Sequence, residues 1–155
     1  MRDIKYIVLH CTAGKAQQKT SDIINYWKVK LGWKSYGYHW IVGEDGTKER
    51  LTEDYAPTNG VKGYNQNSIH LCDKGGWDGT DTRTDAQKKS LLELVKDYKR
   101  QYPLAVVCGH RDLSPDLNKD GKITPNEWIK KCPCFDAKIE YEKVSGIPKI
   151  NFLPL

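Results

Sequence analysis

The sequence contains no apolar stretch of the roughly 20 residues needed to cross a lipid bilayer. Its first residues also lack the apolar core and small-residue cleavage site of a secretory signal. We therefore expect a chain that is synthesised in the cytoplasm, does not insert into a membrane, and reaches any target outside the cell after release or export by another route. Repeats, low-complexity tracts and linkers are missing too, so residues 1–155 are expected to form one domain.

Charge and cysteine content narrow the class of protein further. The formal net charge of +5 favours attraction to polyanions such as bacterial wall polymers or nucleic acids. The lysines are spread along the chain and no nucleic-acid-binding motif is present, so a nucleic-acid partner is not expected. The five cysteines are an odd number, which favours reduced thiols over a disulfide framework. Three of them, Cys11, Cys72 and Cys108, lie in apolar runs and are expected to be buried.

Short β-type runs alternate with helical segments along the chain. The runs predict strands over 4–10, 38–42, 68–72 and 104–108, and a turn at 44–47 predicts an antiparallel strand over 48–51. Ser21 predicts the start of a first helix and Gly32 its end. Thr84 with Gln87 forms a capping-box pattern, and Pro103 ends the helix that follows. Two further helices are predicted over 125–130 and 136–143. This order predicts an α/β fold in which helices pack on both faces of a mixed central β-sheet.

Three residues far apart in sequence form a candidate metal site. Pro133 pushes Cys132 into extended backbone, where side chains two residues apart share a side, so Lys130 and Cys132 are predicted to address one point. His10 and His110 each close a β-type run, and strand ends are where α/β proteins tend to keep their sites. Two imidazoles and one thiolate, with a fourth position left open, are a donor set of catalytic zinc. The alternative for each histidine is a hydrogen-bonded structural residue.

Five segments resemble the zinc-dependent N-acetylmuramoyl-L-alanine amidases of the phage-lysozyme and peptidoglycan-recognition-protein family, and they occur in that family's order. They are IVLHCTA at 7–13, GYHWIV at 37–42, KGYNQNSI at 62–69, GHRD at 109–112 and KKCPCFD at 130–136. The resemblance implies that His10, His110 and Cys132 ligate Zn²⁺ and that Tyr38 and Lys130 are catalytic. It also implies hydrolysis of the amide bond between N-acetylmuramic acid and L-alanine in peptidoglycan. Cysteine as the third ligand, where wall-recycling members have aspartate, implies the wall-lysing, endolysin-like branch.

Other residues around these segments carry further expectations. His70 stands where the family commonly has glycine, so the groove floor is expected to differ, and Cys134 is a second thiol able to capture metal or to oxidise. Strand alternation predicts that Tyr36, Tyr38 and Trp40 share one face of their strand. The aromatic residues expected to line a groove for sugar rings and stem peptide are Trp33, Tyr36, Tyr64 and Trp77.

Residues 116–127 fit the spacing of a calcium loop, D-x-[DN]-x-[DN]-G-x₅-E. Asp116 opens the pattern and Glu127 closes it. Ser114 and Pro115 exclude a proper entering helix, and Glu127 also forms a capping-box pattern with Thr124. A Ca²⁺ ion at this loop and a purely structural Glu127 are therefore both open.

Two other functions compete with the hydrolase. A peptidoglycan-binding recognition module without catalysis would share the fold, but it has no need of the thiol or of Tyr38 and Lys130. A structural protein that binds a cation through the Asp116 loop would leave both strand-end histidines unexplained. We expect an enzyme that acts on peptidoglycan as a monomer.

Overall fold

The structure is a computed structural model, and it describes residues 2–145. Five strands form one mixed sheet in the spatial order β3-β2-β4-β1-β5. They are β1 (Tyr6–Cys11), β2 (Trp40–Val42), β3 (Lys48–Arg50), β4 (Ser68–Asp73) and β5 (Val106–Gly109). β1 pairs in parallel with β4 and β5, β2 pairs in parallel with β4, and β3 joins β2 antiparallel. All five predicted strands are confirmed in position, with each bound within two residues of its prediction.

Helices cover both faces of this sheet, as predicted. The helices are α1 (Thr20–Asn25), which continues as a π-helical turn over Tyr26–Lys30, then α2 (Asp85–Gln101) and α3 (Ala137–Glu140). On one face the apolar stripe of α2 packs against alternate residues of the central strands, including Ile7 and Leu9. On the other face Ile23 and Trp27 pack against Ile41 and Cys72. Burial of each large apolar side chain contributes about 1.5–3 kcal/mol. Within residues 2–145, no helix has the length and apolarity that a membrane crossing requires.

The ends of the first two helices test the capping predictions. Thr84 and Gln87 form both reciprocal bonds of a capping box at the start of α2, which confirms that prediction. The predicted cap at Ser21 is wrong, because α1 already begins at Thr20 and Lys19 occupies the N-cap position without a side-chain bond. The Thr20 hydroxyl instead donates to Glu49 at 2.7 Å. The predicted stop is confirmed, since Gly32 follows the helical turns with φ of +65°.

The two helices predicted near the end of the described chain are shorter than expected. The 125–130 segment is helical only over Pro125–Glu127, as a 3-10 turn, and Trp128 is already extended. The Ile129 amide donates to Ser114 Oγ at 3.0 Å, which draws the backbone away from a helical path. The last segment is helical only over Ala137–Glu140, after Asp136 as its N-cap. Lys130 therefore lies in non-helical chain that leads directly to Cys132.

The predicted shared face of Tyr36, Tyr38 and Trp40 is also wrong. Tyr36 and Tyr38 pack in the cluster that contains Ile41, whereas Trp40 packs on the α2 face and donates to Tyr98 Oη at 2.8 Å. Period-two alternation holds only within a continuous strand, and β2 begins at Trp40. The three aromatics before and within β2 are thus distributed over both faces.

Asp73, the last residue of β4, is only 1% exposed, and its Oδ1 has no hydrogen-bond partner among residues 2–145. Burial raises the pKa of Asp73 from 3.8 to about 7, against the opposing attraction of Arg83. The folded protein therefore holds this proton at pH values where the unfolded chain has released it, so stability is expected to fall as the pH rises from about 4 to about 7. Asp73→Asn removes the ionisation and is expected to raise the free energy of unfolding at pH 8 by up to about 4 kcal/mol.

Urea unfolding of both proteins at pH 5 and pH 8 measures this effect. Asp78→Asn, at an exposed aspartate nearby, is the control and is expected to follow the unaltered protein at both pH values. An Asp73→Asn variant with the same pH dependence as the unaltered protein would contradict the assignment.

Candidate active site

The carboxyl ends of β1 and β5 bring two histidines together. The strands are parallel neighbours with Leu9 opposite Gly109, so the next residues, His10 and His110, emerge side by side. Their ring centroids are 5.0 Å apart. Cys132 Sγ lies 3.8 Å from His10 Nδ1, and one donor atom from each of the three residues lies within 4.8 Å of the other two. The structure thus assembles all three predicted ligands at one point.

Backbone contacts hold Cys132 in this position. Its sulfur accepts the Cys11 amide at 3.2 Å, and its carbonyl accepts the Arg111 amide at 2.9 Å. The first bond ties the thiol to β1, and the second ties its backbone to the residue after His110. A Cβ at Gly109 would lie 2.6 Å from Pro133 Cδ, so only glycine at the end of β5 lets this segment approach.

The two predicted catalytic side chains border the same cavity, which has a volume of about 120 Å³. The Tyr38 ring lies 5.0 Å from the His10 ring and 5.4 Å from the ring of Trp27. Burial raises the pKa of Tyr38 well above its usual range, and the Cys72 and Cys132 thiols raise it further. Tyr38 therefore keeps its hydroxyl proton at neutral pH. Lys130 is exposed at the cavity and brings a positive charge close to the imidazoles.

The imidazoles at the cavity are neutral at pH 7. Burial, and to a smaller extent the nearby Lys130 ammonium, lower the pKa of His110 to about 4. Burial also lowers the pKa of His10 well below its usual range, with His70 as the next contribution. Metal binding requires neutral imidazole, so the site has two nitrogen donors in the required state without any proton to displace.

His70 and Asn65 also belong to this centre, and the sequence analysis did not assign them to it. His70 Nδ1 lies 2.8 Å from His10 Nε2, and His70 Nε2 lies 3.0 Å from Asn65 Oδ1. His70 is fully buried, and its ring lies against Gly60, which lines both the cavity and the neighbouring cleft. A signal was present in the sequence: alternate positions 68, 70 and 72 carry Ser, His and Cys, which is unusual for a buried strand.

Known proteins are similar in sequence to this chain over most of its length. The sequence model of the family described as N-acetylmuramoyl-L-alanine amidase matches residues 1–127. The chain belongs to this family. The endolysin of Klebsiella phage KP32 is 35% identical to the amidase over 150 residues, which cover 92% of this chain and 88% of the endolysin. The predicted family and activity are therefore confirmed: the amidase hydrolyses the amide bond between N-acetylmuramic acid and L-alanine in peptidoglycan, as in cell-wall lysis.

Solved structures agree with the fold of the amidase. The Ph2119 endolysin of a Thermus scotoductus bacteriophage superposes with a TM-score of 0.74 at 26% identity, covering 94% of this chain and 87% of that one. Drosophila PGRP-LB superposes with a TM-score of 0.71 at 16% identity, covering 99% of this chain and 88% of that one. The second match, at this low identity, shows the fold alone.

A wider cleft of about 840 Å³ adjoins the cavity that His10 and Cys132 line in the amidase. Trp33 and Tyr64, two of the four predicted groove aromatics, line it together with His110 and Lys130. Tyr36 packs edge-on against Trp27 instead, with ring centroids 6.5 Å apart. Trp77 lines a separate surface pocket, where Lys15 Nζ lies 5.8 Å from its ring centroid. Trp33 and Tyr64 thus line this cleft, whereas Tyr36 and Trp77 do not.

All five cysteines of the amidase are free thiols, and Cys11, Cys72 and Cys108 are buried, as predicted. Cys134 Sγ lies 3.7 Å from Cys11 Sγ and 4.0 Å from the Gly76 carbonyl oxygen. The Cys134 thiol thus contacts the Cys11 thiol and the backbone of Gly76.

The predicted calcium loop brings one oxygen each of Asp116, Asp120 and Glu127 within 4.8 Å of one another. Glu127 both caps its own turn at Thr124 and accepts the Leu117 amide at 2.5 Å. Asp116 Oδ2 accepts the Gly121 amide at 2.8 Å, whereas the buried Asp116 Oδ1 has no hydrogen-bond partner within the described chain. Both Glu127 oxygens thus already accept hydrogen bonds, Oε1 from Thr124 and Oε2 from Leu117 and Asn118.

Proposed function

We propose that the amidase is a zinc enzyme in which His10, His110 and Cys132 hold the ion, while Tyr38 and Lys130 act on the substrate. The observation that carries the proposal is the convergence of two neutral imidazoles and one thiol within 4.8 Å. Two nitrogens and one sulfur suit Zn²⁺, and three protein ligands rather than four are typical of a catalytic zinc site. When bound, zinc supplies a Lewis acid for the scissile carbonyl and lowers the pKa of bound water to about 7.

Lys130 and Tyr38 have complementary parts in this proposal. The exposed Lys130 ammonium borders both the small cavity and the wider cleft, so it faces the carbonyl oxygen of a substrate that spans them. A fixed positive charge there stabilises the negative charge that develops on this oxygen. The Tyr38 hydroxyl, which stays protonated, donates a hydrogen bond that orients water or passes a proton toward the leaving amine of L-alanine.

The cleft beside the cavity is the proposed binding surface for peptidoglycan. Its volume is at the upper end of the usual 300–1,000 Å³ range for ligand pockets. Trp33 and Tyr64 provide flat apolar surface for sugar rings and the stem peptide. All of these residues belong to one chain, so a monomer that reaches the cell wall after release or export is sufficient for the reaction.

Zinc content and hydrolysis, measured together, test the proposal. The purified protein is expected to contain one zinc per chain, and release of peptides with a free L-alanine amine from peptidoglycan is expected to stop on chelation and return with Zn²⁺. Full activity in the metal-free protein would refute the zinc proposal. Binding of peptidoglycan without cleavage by the zinc-loaded protein would favour a recognition module instead.

A second cation is proposed at the loop of Asp116, Asp120 and Glu127. Its complete calcium-loop spacing and the orphaned Asp116 Oδ1 support Ca²⁺ as the occupant. The loop leads through Trp128 to Lys130, so a bound ion would brace the segment that carries the catalytic lysine and Cys132.

Calcium is therefore expected to raise the melting temperature. At 100 times its dissociation constant a ligand adds about 2.7 kcal/mol to the free energy of unfolding. Asp116→Asn, which keeps an acceptor for the Gly121 amide but loses the charge, is expected to abolish most of this shift in a thermal melt. Asp22→Asn, at an exposed aspartate of α1, is the matched control. An equal calcium response in the Asp116 variant would refute this site.

A further inference from the structure

We infer that His70 is a positioning residue that fixes the tautomer of His10 and thereby presents His10 Nδ1 to the metal. The inference rests on the proposed function only in taking His10 as a ligand. Its basis is a chain of hydrogen bonds that begins at a backbone amide and ends at the candidate metal site.

The first hydrogen bond of this series determines which atom is the donor in each of the later ones. The Val61 backbone N–H donates to Asn65 Oδ1 at 2.8 Å, and a backbone amide can only donate. The atom at that position is therefore the carbonyl oxygen of Asn65, not its amide nitrogen. The same oxygen lies 3.0 Å from His70 Nε2, so Nε2 must carry a hydrogen and donate it.

The tautomer of His70 in turn determines the tautomer of His10. In a neutral ring only one nitrogen carries hydrogen, so His70 Nδ1 has a free lone pair. This lone pair lies 2.8 Å from His10 Nε2, which must then be the protonated nitrogen of His10. His10 Nδ1 is left with its lone pair, and this is the nitrogen that lies 3.8 Å from Cys132 Sγ. The donor atom is thus selected before any metal arrives.

Packing holds His70 in the orientation that this relay needs. Val8 lies opposite His70 in the parallel pair of β1 and β4, and His10 follows two residues later on the same face. A Cβ at Gly60 would collide with the His70 ring, so glycine at this position makes room for the imidazole. The His70 side chain is fully buried. The Gly60 backbone therefore lies directly against the His70 ring.

A merely structural histidine would not select a tautomer, and this difference can be measured directly. Long-range ¹⁵N–¹H NMR of the imidazoles in the zinc-free, unaltered protein is expected to show His10 protonated at Nε2 and His70 protonated at Nε2. A His10 ring protonated at Nδ1 would overturn the inference, and this measurement needs no variant.

Variants extend the test to metal affinity, measured by competition with a chelating dye. His70→Leu removes the acceptor and is expected to weaken zinc binding roughly 10- to 100-fold, the usual cost of losing an outer contact to a metal-bound histidine. His70→Asn places an oxygen near the position of Nδ1 and is expected to restore most of that affinity. His39→Leu is the matched control: it removes another buried histidine, one that accepts the His70 amide at 3.0 Å, without touching His10. It is expected to lower stability but to keep zinc affinity.

The outcomes separate this inference from the ligand assignment. If His10→Ala loses zinc but His70→Leu binds it as tightly as the unaltered protein, the positioning role alone is refuted. If His10→Ala keeps full zinc affinity, the ligand assignment fails and the inference fails with it. Equal losses in His70→Leu and His39→Leu would also overturn the inference, because general destabilisation would then account for the effect.

Discussion

Cys132→Ser is expected to abolish zinc binding and peptidoglycan hydrolysis together. The substitution removes the sulfur donor and leaves a neutral hydroxyl beside two imidazoles, which is a poor substitute for a thiolate at a zinc site. The loss of affinity should exceed the roughly 10- to 100-fold effect of losing an outer contact. Metal analysis of the purified variant, together with an assay for newly released L-alanine amines, measures both effects.

Cys134→Ser is the matched control, because it makes the same change two residues further along the chain. Its sulfur lies 3.7 Å from Cys11 Sγ, and the variant is expected to retain one zinc and the activity of the unaltered protein. The opposite pattern, in which Cys134→Ser loses zinc and Cys132→Ser keeps it, would transfer the ligand role to the second thiol. Full activity of Cys132→Ser would refute the proposed site altogether.

Lys130→Met is expected to lower kcat by roughly 10²–10³, the range found when one donor to a developing oxyanion is removed. Methionine keeps most of the length and apolar surface of the lysine stem but removes the ammonium group. Because the charge on the carbonyl oxygen grows only toward the transition state, KM should change much less than kcat. Zinc content should be unaffected, since Lys130 donates no metal ligand in the proposed site.

Lys131→Met controls for the loss of a positive charge near an acidic polymer. The Lys131 side chain runs along Gly79, where a Cβ would meet its Cδ at 2.8 Å, and it lines neither the cavity nor the wider cleft. Steady-state kinetics of both variants on soluble wall fragments would separate the two explanations. Equal reductions in kcat for the two lysine variants would show that net charge, rather than the position of Lys130, accounts for the effect.

The sheet and the longest helix were predictable because their signals are local. Each strand is a short apolar or alternating run, and α2 carries both its cap at Thr84 and its apolar stripe within its own sequence. The segment after Pro125 had an equally clear cap, yet it forms a single turn. The helix stops there because the Ile129 amide donates a hydrogen bond to Ser114, a residue outside the segment itself.

The ligand set was identified from motifs, whereas its supporting residues were not. Motifs in the sequence identify His10, His110 and Cys132 as candidate metal donors, but no motif indicates which residue packs behind a ligand. The sequence shows His70 only as a histidine at a position where the family commonly has glycine. Its contact with His10 depends on the register of β1 against β4, in which Val8 faces His70.

By itself the sequence determined the fold class, the family, and which side chains can bind zinc, because strand periodicity, caps and donor chemistry are properties of the residues and their immediate neighbours. Only the tertiary structure decided that Tyr38 and Trp40 lie on opposite faces, that Cys134 contacts Cys11, and that a buried histidine fixes the free nitrogen of His10. These features depend on the register between strands and on packing between segments that lie 60 to more than 100 residues apart. Such distances in the chain carry no periodic signal, so the geometry becomes defined only when the sheet is assembled.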